Sequence, residues 1–439
     1  MSIETVPGTA LRYYLMAFDA DGRERTDEPD GSMSQRVLNV LDQEPITDVF
    51  LISHGWKGDV PAAREQYNNW IGAMARCEAD LAQMRQVRPQ FQPLLIGLHW
   101  PSLPWGEEEL GSASMSFDPA AATPVAQLID QYAERLANTE AARAALGTIF
   151  AAALEDIAPN TLPQAVRDAY QVLDREASLT SAGEGAAPGA DREPFDPERA
   201  FQNAQVEPVN FGWFSVGGLL SPLRQLSFWK MKDRARRFGE SGGFTFLRDL
   251  QRTVTAQRDV RFHLIGHSFG CIVVSAILAG PGGHGTLVRP VDSVALVQGA
   301  LSLWSYCADI PVAPGQPGYF HSIIADRKVK GPIITTQSEF DTAVGRFYPL
   351  GAGVRRQVTF APGELPKYGG LGTFGIRGLD EAVVDLDMLP VSTSYTLAPG
   401  KIYNLESSRF ICDGSGASGA HSDIAKPEVA HAVWAAVRG

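Results

Sequence analysis

Cysteine is scarce in this chain: four in 439 residues, at Cys77, Cys271, Cys307 and Cys412. No two stand close enough to suggest a disulfide framework, and no His, Cys, Asp or Glu set has zinc-ligand spacing. Positive charge is also short. The formal net charge of -12 argues against nucleic acid, because nothing on balance would neutralise a phosphate backbone. The one basic cluster, Lys230, Lys232, Arg234, Arg236 and Arg237, scatters over two faces at helical spacing and reads as a solvated helix surface. No apolar run approaches the roughly eighteen residues of a membrane span. The first residues show no basic segment leading into an apolar core, so no signal peptide is expected and the cytoplasm is the expected compartment. Residues 280–285 (GPGGHG) lack the lysine, preceding strand and following helix of a phosphate cradle. No cofactor and no metal are expected. Internal repeats are absent, and nothing in the chain indicates an oligomeric state.

What is present is an alternation of short apolar runs with helical patterns. Residues 11–19 (LRYYLMAFD), 46–53 (ITDVFLIS) and 91–99 (FQPLLIGLH) read as strands, with a helix near 34–42 and a long one opened by Pro61 and running to about Gln86. Near-continuous apolar strands separated by helices indicate an α/β fold, a mostly parallel twisted sheet with helices on both faces. The rhythm stops near residue 101. Ala-rich helical patterns follow at 123–138, 140–157 and 163–177, then a stretch expected to be a flexible spacer at 181–197 (SAGEGAAPGADREPFDP) and an aromatic stretch at 210–229. The expected organisation is therefore a core from 1–100 and 227–439, with 101–226 inserted as a large helical cap. Helices at 227–238 and 244–257 resume the rhythm, with strands at 260–265, 291–298, 331–336 and 401–406 and a terminal helix at 427–437.

The stretch around residue 268 carries the chemistry. An apolar run, 260–265, meets Gly266-His267-Ser268-Phe269-Gly270, and a compact apolar helix follows from Cys271 to Ala279. Strand, tight G-x-S-x-G turn and helix is the nucleophile elbow. Ser268 must project from a strained turn, and a side chain at Gly266 or Gly270 would strike the neighbouring strand and helix. The following helix aims its N-terminal amides at the place where negative charge develops.

On these residues the chain resembles the α/β-hydrolase superfamily, its serine esterases and lipases in particular. The resemblance implies that an acid and then a histidine follow the serine in chain order. The acid is expected after the second strand beyond the elbow, in 336–345 (TQSEFDTAVG). Asp341 fits best there, with Glu339 the near rival; Asp341 as a plain helix N-cap is the alternative. Asp292 and Asp326 precede their strands and stand at the wrong edge.

For the base, His421 lies in the glycine-rich stretch 414–423 (GSGASGAHSD), between the last strand and the terminal helix. His431 falls inside that helix, His284 and His321 precede the acid, and His267 sits within the elbow turn. Two backbone donors for an oxyanion are expected at Phe269 and at Trp56, which follows a strand in His54-Gly55-Trp56. His54, Trp100 and Trp105 are candidates for the walls of a substrate pocket, and the His54 side chain is read as a structural hydrogen-bonder and not a second base. Residues 341–349 (DTAVGRFYP) and 419–424 (GAHSDI) are similar to those of an uncharacterised bacterial branch of serine hydrolases. The implied activity is hydrolysis of a small-molecule or lipid ester through an acyl-enzyme. A lipase, amidase or acyltransferase on the same side chains is the alternative, and so is a non-catalytic binding protein that retains the fold.

Overall fold

The computed structural model describes residues 2–25, 32–56, 60–102, 125–156, 159–206, 218–255, 258–347, 365–414 and 419–439. Among these, nine strands form one sheet: β1 (Ser2–Thr5), β2 (Arg12–Ala17), β3 (Asp48–Ser53), β4 (Pro93–His99), β5 (Arg261–His267), β6 (Ser293–Val297), β7 (Ile333–Gln337), β8 (Val383–Asp387) and β9 (Ile402–Glu406). They lie in the order β1-β2-β4-β3-β5-β6-β7-β9-β8, and only the β1–β2 pair is antiparallel. The α/β architecture expected from the alternation is present.

The central strands are largely apolar and buried because both sides of the sheet are covered. Along β3, Val49 and Leu51 join one core while Phe50 and Ile52 join the other, as period-two side chains must. The first core is closed by α1 (Met33–Gln43), α9 (Phe244–Thr253), α10 (Gly270–Ala279) and the end of α8 (Ser221–Phe238). The second is closed by α2 (Val60–Arg76), α3 (Glu78–Val87) and the C-terminal helix Pro427–Arg438.

The strand order fixes where a crevice opens. From β3 the chain crosses by α2 and α3 to β4 on one side, whereas β5 lies on the other side of β3 and continues into α10 on the opposite face. The loops leaving β3 and β5 therefore diverge at a topological switch point, where open parallel sheets leave room for ligands at the carboxyl ends of their strands.

Between β4 and β5, helices α4 (Val125–Arg135), α5 (Glu140–Glu155), α6 (Gln164–Glu176) and α7 (Pro197–Val206) gather a separate apolar core with the first half of α8. Leu223, Leu226 and Trp229 of α8 face that core, while Met231, Ala235 and Phe238 face the sheet. One helix thus pins the insertion to the sheet.

Four expectations are corrected. The long helix after Pro61 is two helices, broken at Cys77. Strands β1 and β8, both at sheet edges, are additions; β8 exposes most of its residues and lacks a continuous apolar run. Residues 181–197 are not a flexible spacer but a folded loop that buries Glu184, Asp191 and Arg192. Arg192 Nη2 donates to Asp174 Oδ1 at 2.7 Å, and Lys232 Nζ donates to Asp191 Oδ2 at 2.6 Å. Lys232 is consequently fully buried, over the Trp229 ring at 4.7 Å, and not part of a solvated face. The segments around Trp105 and at 210–217 lie outside the described residues. Among the described residues, no helix is long and apolar enough to cross a membrane.

Candidate active site

Strand β5 ends at His267, and α10 begins at Gly270. Ser268 between them adopts φ +55°, the left-handed region that L-residues avoid. Its N–H donates to Val297 O at 3.1 Å and its carbonyl accepts from Cys271 N–H and Ala300 N–H. The cost of that conformation, about 1–2 kcal/mol, is small beside α10, all ten of whose residues are buried at about 1.5–3 kcal/mol for each large apolar side chain. The flanking glycines are sterically required. A Cβ at Gly266 would stand 2.5 Å from Gly270 O, and one at Gly270 would stand 2.3 Å from Ser53 O on β3.

The loop after β3 lies directly against this turn, since a Cβ at Gly55 would meet the Ser268 Cβ at 2.8 Å. Its path is fixed from beneath. Tyr67 Oη accepts from His54 N–H at 3.0 Å and donates to Leu98 O at 2.6 Å. His54 Nδ1–H donates to Gly55 O at 2.8 Å, so its Nε2 accepts from His99 Nδ1–H at 3.0 Å. Burial pulls the His54 pKa down to about 4, and that of His99 well below the usual range. Both rings are thus neutral supports. His54 and Trp100 are fully buried and stack at 5.8 Å, with Trp100 Nε1–H donating to His54 O. They therefore brace the loop, His54 as the structural hydrogen-bonder expected, and, contrary to the pocket expectation, neither walls a pocket among the described residues. Trp105 lies outside the described residues.

Trp56 stacks on Phe269 at 5.6 Å, and Phe228 of α8 touches both rings, at 5.8 and 5.2 Å. These aromatics join the loop after β3, the turn after β5 and the insertion. Among the described residues, no backbone carbonyl accepts from Phe269 N–H.

The loop after β7 brings Asp341 to the same sheet edge, fully buried, while Glu339 is exposed. Both Asp341 oxygens are engaged. Oδ1 accepts from Val344 N–H at 2.9 Å as a cap, and Oδ2 accepts from His421 Nδ1–H at 2.8 Å. A second donor, Gln298 Nε2, reaches Oδ2 at 3.2 Å, and Gln298 Oε1 accepts from Thr336 Oγ1 at 3.0 Å. Gln298 is fully buried with φ +46°. Ala420 N–H donates to Phe340 O at 2.9 Å and so moors the histidine loop to the acid loop.

Ser268 and His421 are neighbours through His267. His267 Nε2–H donates to His421 O at 3.0 Å, and the two rings lie 5.0 Å apart. No hydrogen bond joins Ser268 Oγ to the His421 ring among the described residues; such bonds commonly tighten only when substrate is present. Also among the described residues, no three His, Cys, Asp or Glu side chains converge as metal ligands would.

Sequence reading gave no role to Gln298, His267 or Gln66, whose amide meets His267 at 2.8 Å. Gln298, at the end of β6 and one strand from Asp341, could have been found by asking what orients the acid. The other two, Gln66 bonded to the His267 ring and that ring bonded to His421 O, meet across long separations that leave no pattern in the chain. The chain matches no family model, no curated protein and no solved structure.

Proposed function

We propose that the chain is a serine hydrolase of the α/β-hydrolase type, cleaving carboxylic esters through an acyl-enzyme. The observation that carries this reading is a strained serine at a strand–helix turn, with an Asp–His pair 2.8 Å apart presented at the same sheet edge.

A serine hydroxyl is a weak nucleophile at neutral pH and needs a base. Asp341 accepts from His421 Nδ1–H, which leaves Nε2 as the acceptor for the Ser268 proton. The serine oxygen adds to the ester carbonyl, and the carbonyl oxygen becomes the oxyanion. Phe269 N–H and Trp56 N–H are the donors assigned to it, aided by the N-terminus of α10. His421 returns the proton to the departing alkoxide, leaving acyl-Ser268. Water then adds to the acyl carbon as His421 takes its proton; the bond to Ser268 Oγ breaks, the carboxylic acid departs, and His421 returns the proton to Ser268 Oγ.

The test is Ser268→Ala. Turnover of p-nitrophenyl esters and labelling by a fluorophosphonate probe should both vanish, with circular dichroism and Tm unchanged. A folded variant that retains turnover and labelling would overturn the proposal.

A further inference from the structure

His267 is buried in the turn with three elements around it. From α2, Gln66 Nε2–H donates to His267 Nδ1 at 2.8 Å and Trp70 meets the ring edge-on at 6.5 Å. From the loop after β3, a Cβ on Gly55 would stand 3.2 Å from His267 Nδ1. From the loop before the C-terminal helix, His421 O accepts from Nε2–H. The tautomer follows from the partners. A carboxamide NH2 only donates, so Nδ1 must accept and Nε2 must carry the proton.

We infer that His267 is a positioning residue for His421, a neutral imidazole whose Nε2–H fixes the main chain of the catalytic base over Ser268. This rests on the serine-hydrolase reading above. The His421 loop is also held by Ala420 N–H to Phe340 O and by the imidazole to Asp341, both from the loop after β7, and at its own base by Asp423 Oδ2, which accepts from Cys412 and Asp413 N–H. None of these reaches the turn that holds Ser268. Among the described residues, the hydrogen bond from His267 is the one that ties the loop to that turn, one residue from the nucleophile.

Neutrality matters as much as geometry. A cationic ring 5.0 Å from His421 would oppose the imidazolium that forms as Ser268 gives up its proton. Burial, with His421 nearby, pulls the His267 pKa down to about 3. It therefore stays uncharged wherever the base can work. Asp341 is the charged group facing His421 from the other side, and Gln66, Trp70 and Gly55 bring no charge to His267.

Three variants of the full chain test this. His267→Leu removes the donor, His267→Gln keeps an N–H to give and an oxygen to receive, and Gln66→Met releases the tautomer from outside the turn. The readouts are kcat and KM on a p-nitrophenyl ester, the rate of fluorophosphonate labelling, and Tm. His267→Leu should lower kcat and labelling rate about 10- to 100-fold, the range of a lost orienting hydrogen bond, with KM within about twofold. His267→Gln should restore most of that loss, and Gln66→Met should fall between. If His267→Leu does not fold, Gln66→Met carries the test.

A folded His267→Leu (or, failing that, Gln66→Met) with wild-type kcat and labelling overturns the inference. So does a His267→Gln as slow as His267→Leu, which would mark bulk and not hydrogen bonding. Nitrogen-15 NMR of the wild type should show a pyrrole-like Nε2 and a pyridine-like Nδ1 at His267 across neutral pH, and the reverse tautomer also overturns it. That spectrum needs no turnover. A wild type that never labels at Ser268 defeats the hydrolase reading, whereas labelling that ignores residue 267 defeats this inference alone.

Discussion

The turn at Ser268 and the loop at 181–197 both bury polar groups, and they do so in opposite ways. Around Ser268 the polar groups are neutral or fully hydrogen-bonded. His54, His99 and His267 are held uncharged, and the buried Asp341 carboxylate receives Val344 N–H, His421 and Gln298. In the loop the burial is ionic, Asp191 with Lys232 and Arg192 with Asp174; beside these pairs Glu184 accepts from Ser302 Oγ at 2.8 Å, and its other oxygen has no partner among the described residues. The first arrangement suits chemistry, because fixed dipoles in a dry site need no reorganisation as charge develops. The second attaches one unit to another, and it is sensitive to the loss of any one partner.

The sharpest way to break the first arrangement is Asp341→Asn. Asparagine keeps an oxygen for the Val344 cap but turns an NH2 or a weaker acceptor toward His421 Nδ1, which favours the wrong tautomer. We expect kcat to fall about 10³- to 10⁴-fold, with Tm lowered by a few degrees at most. Steady-state kinetics beside a thermal melt checks both. A variant within tenfold of wild type would mean that His421 does not depend on this carboxylate.

The second arrangement breaks at Lys232. Lys232→Met leaves Asp191 buried without its ammonium, which should cost about 3–5 kcal/mol, more than any exposed ion pair contributes. Adding Asp191→Asn should return most of it, because an uncharged amide is then buried in place of an uncompensated carboxylate. Urea unfolding of the two single variants and the double variant measures the coupling. Additive losses would show that the two side chains act independently. Insertion and sheet share α8, so we also expect Lys232→Met to shift the environment of Trp56, next to Phe228, in tryptophan fluorescence.

The same contrast explains what the chain alone disclosed. Strands β2 to β7 and β9 were legible because burial on both faces demands unbroken apolar runs, and α4 to α6 because their buried faces repeat at helical spacing. Gly266, Ser268 and Gly270 were legible because close backbone approach leaves room for little else. The loop at 181–197 was not: glycine, alanine and charge look alike in a solvated tether and in a segment whose charges pair with residues 18 to 174 positions away. Lys232 was misjudged for the same reason, since helical spacing gives the face but not what covers it. Edge strand β8 is half-exposed and so lacks the period that marks its neighbours. His54 and Trp100 were placed at the right strand ends and on the wrong side of the loop, as only packing distinguishes a wall from a brace.

The smallest expected effect concerns Glu184, which sits beside a cavity of about 10 Å³, room for one water, also lined by Asp191, Ser302 and Ser305. Burial first, and Asp191 second, push its pKa up to about 8. The carboxyl is thus protonated in the folded protein at neutral pH and ionised in the unfolded chain. Between about pH 5 and 8 the folded state therefore holds the extra proton, so stability is full below the unfolded pKa and declines as pH rises to the folded one. Glu184→Gln keeps an acceptor for Ser302 and carries no titrating proton. Its unfolding free energy should be flatter over that window and exceed that of the wild type near pH 9, by on the order of 1–3 kcal/mol. Paired urea titrations at pH 5.5, about 7 and about 9 would decide it. Parallel curves for the two proteins would mean that Glu184 is already ionised in the fold, with Lys232 shared between two carboxylates, and that the insertion is attached by a charge triad and not a pair.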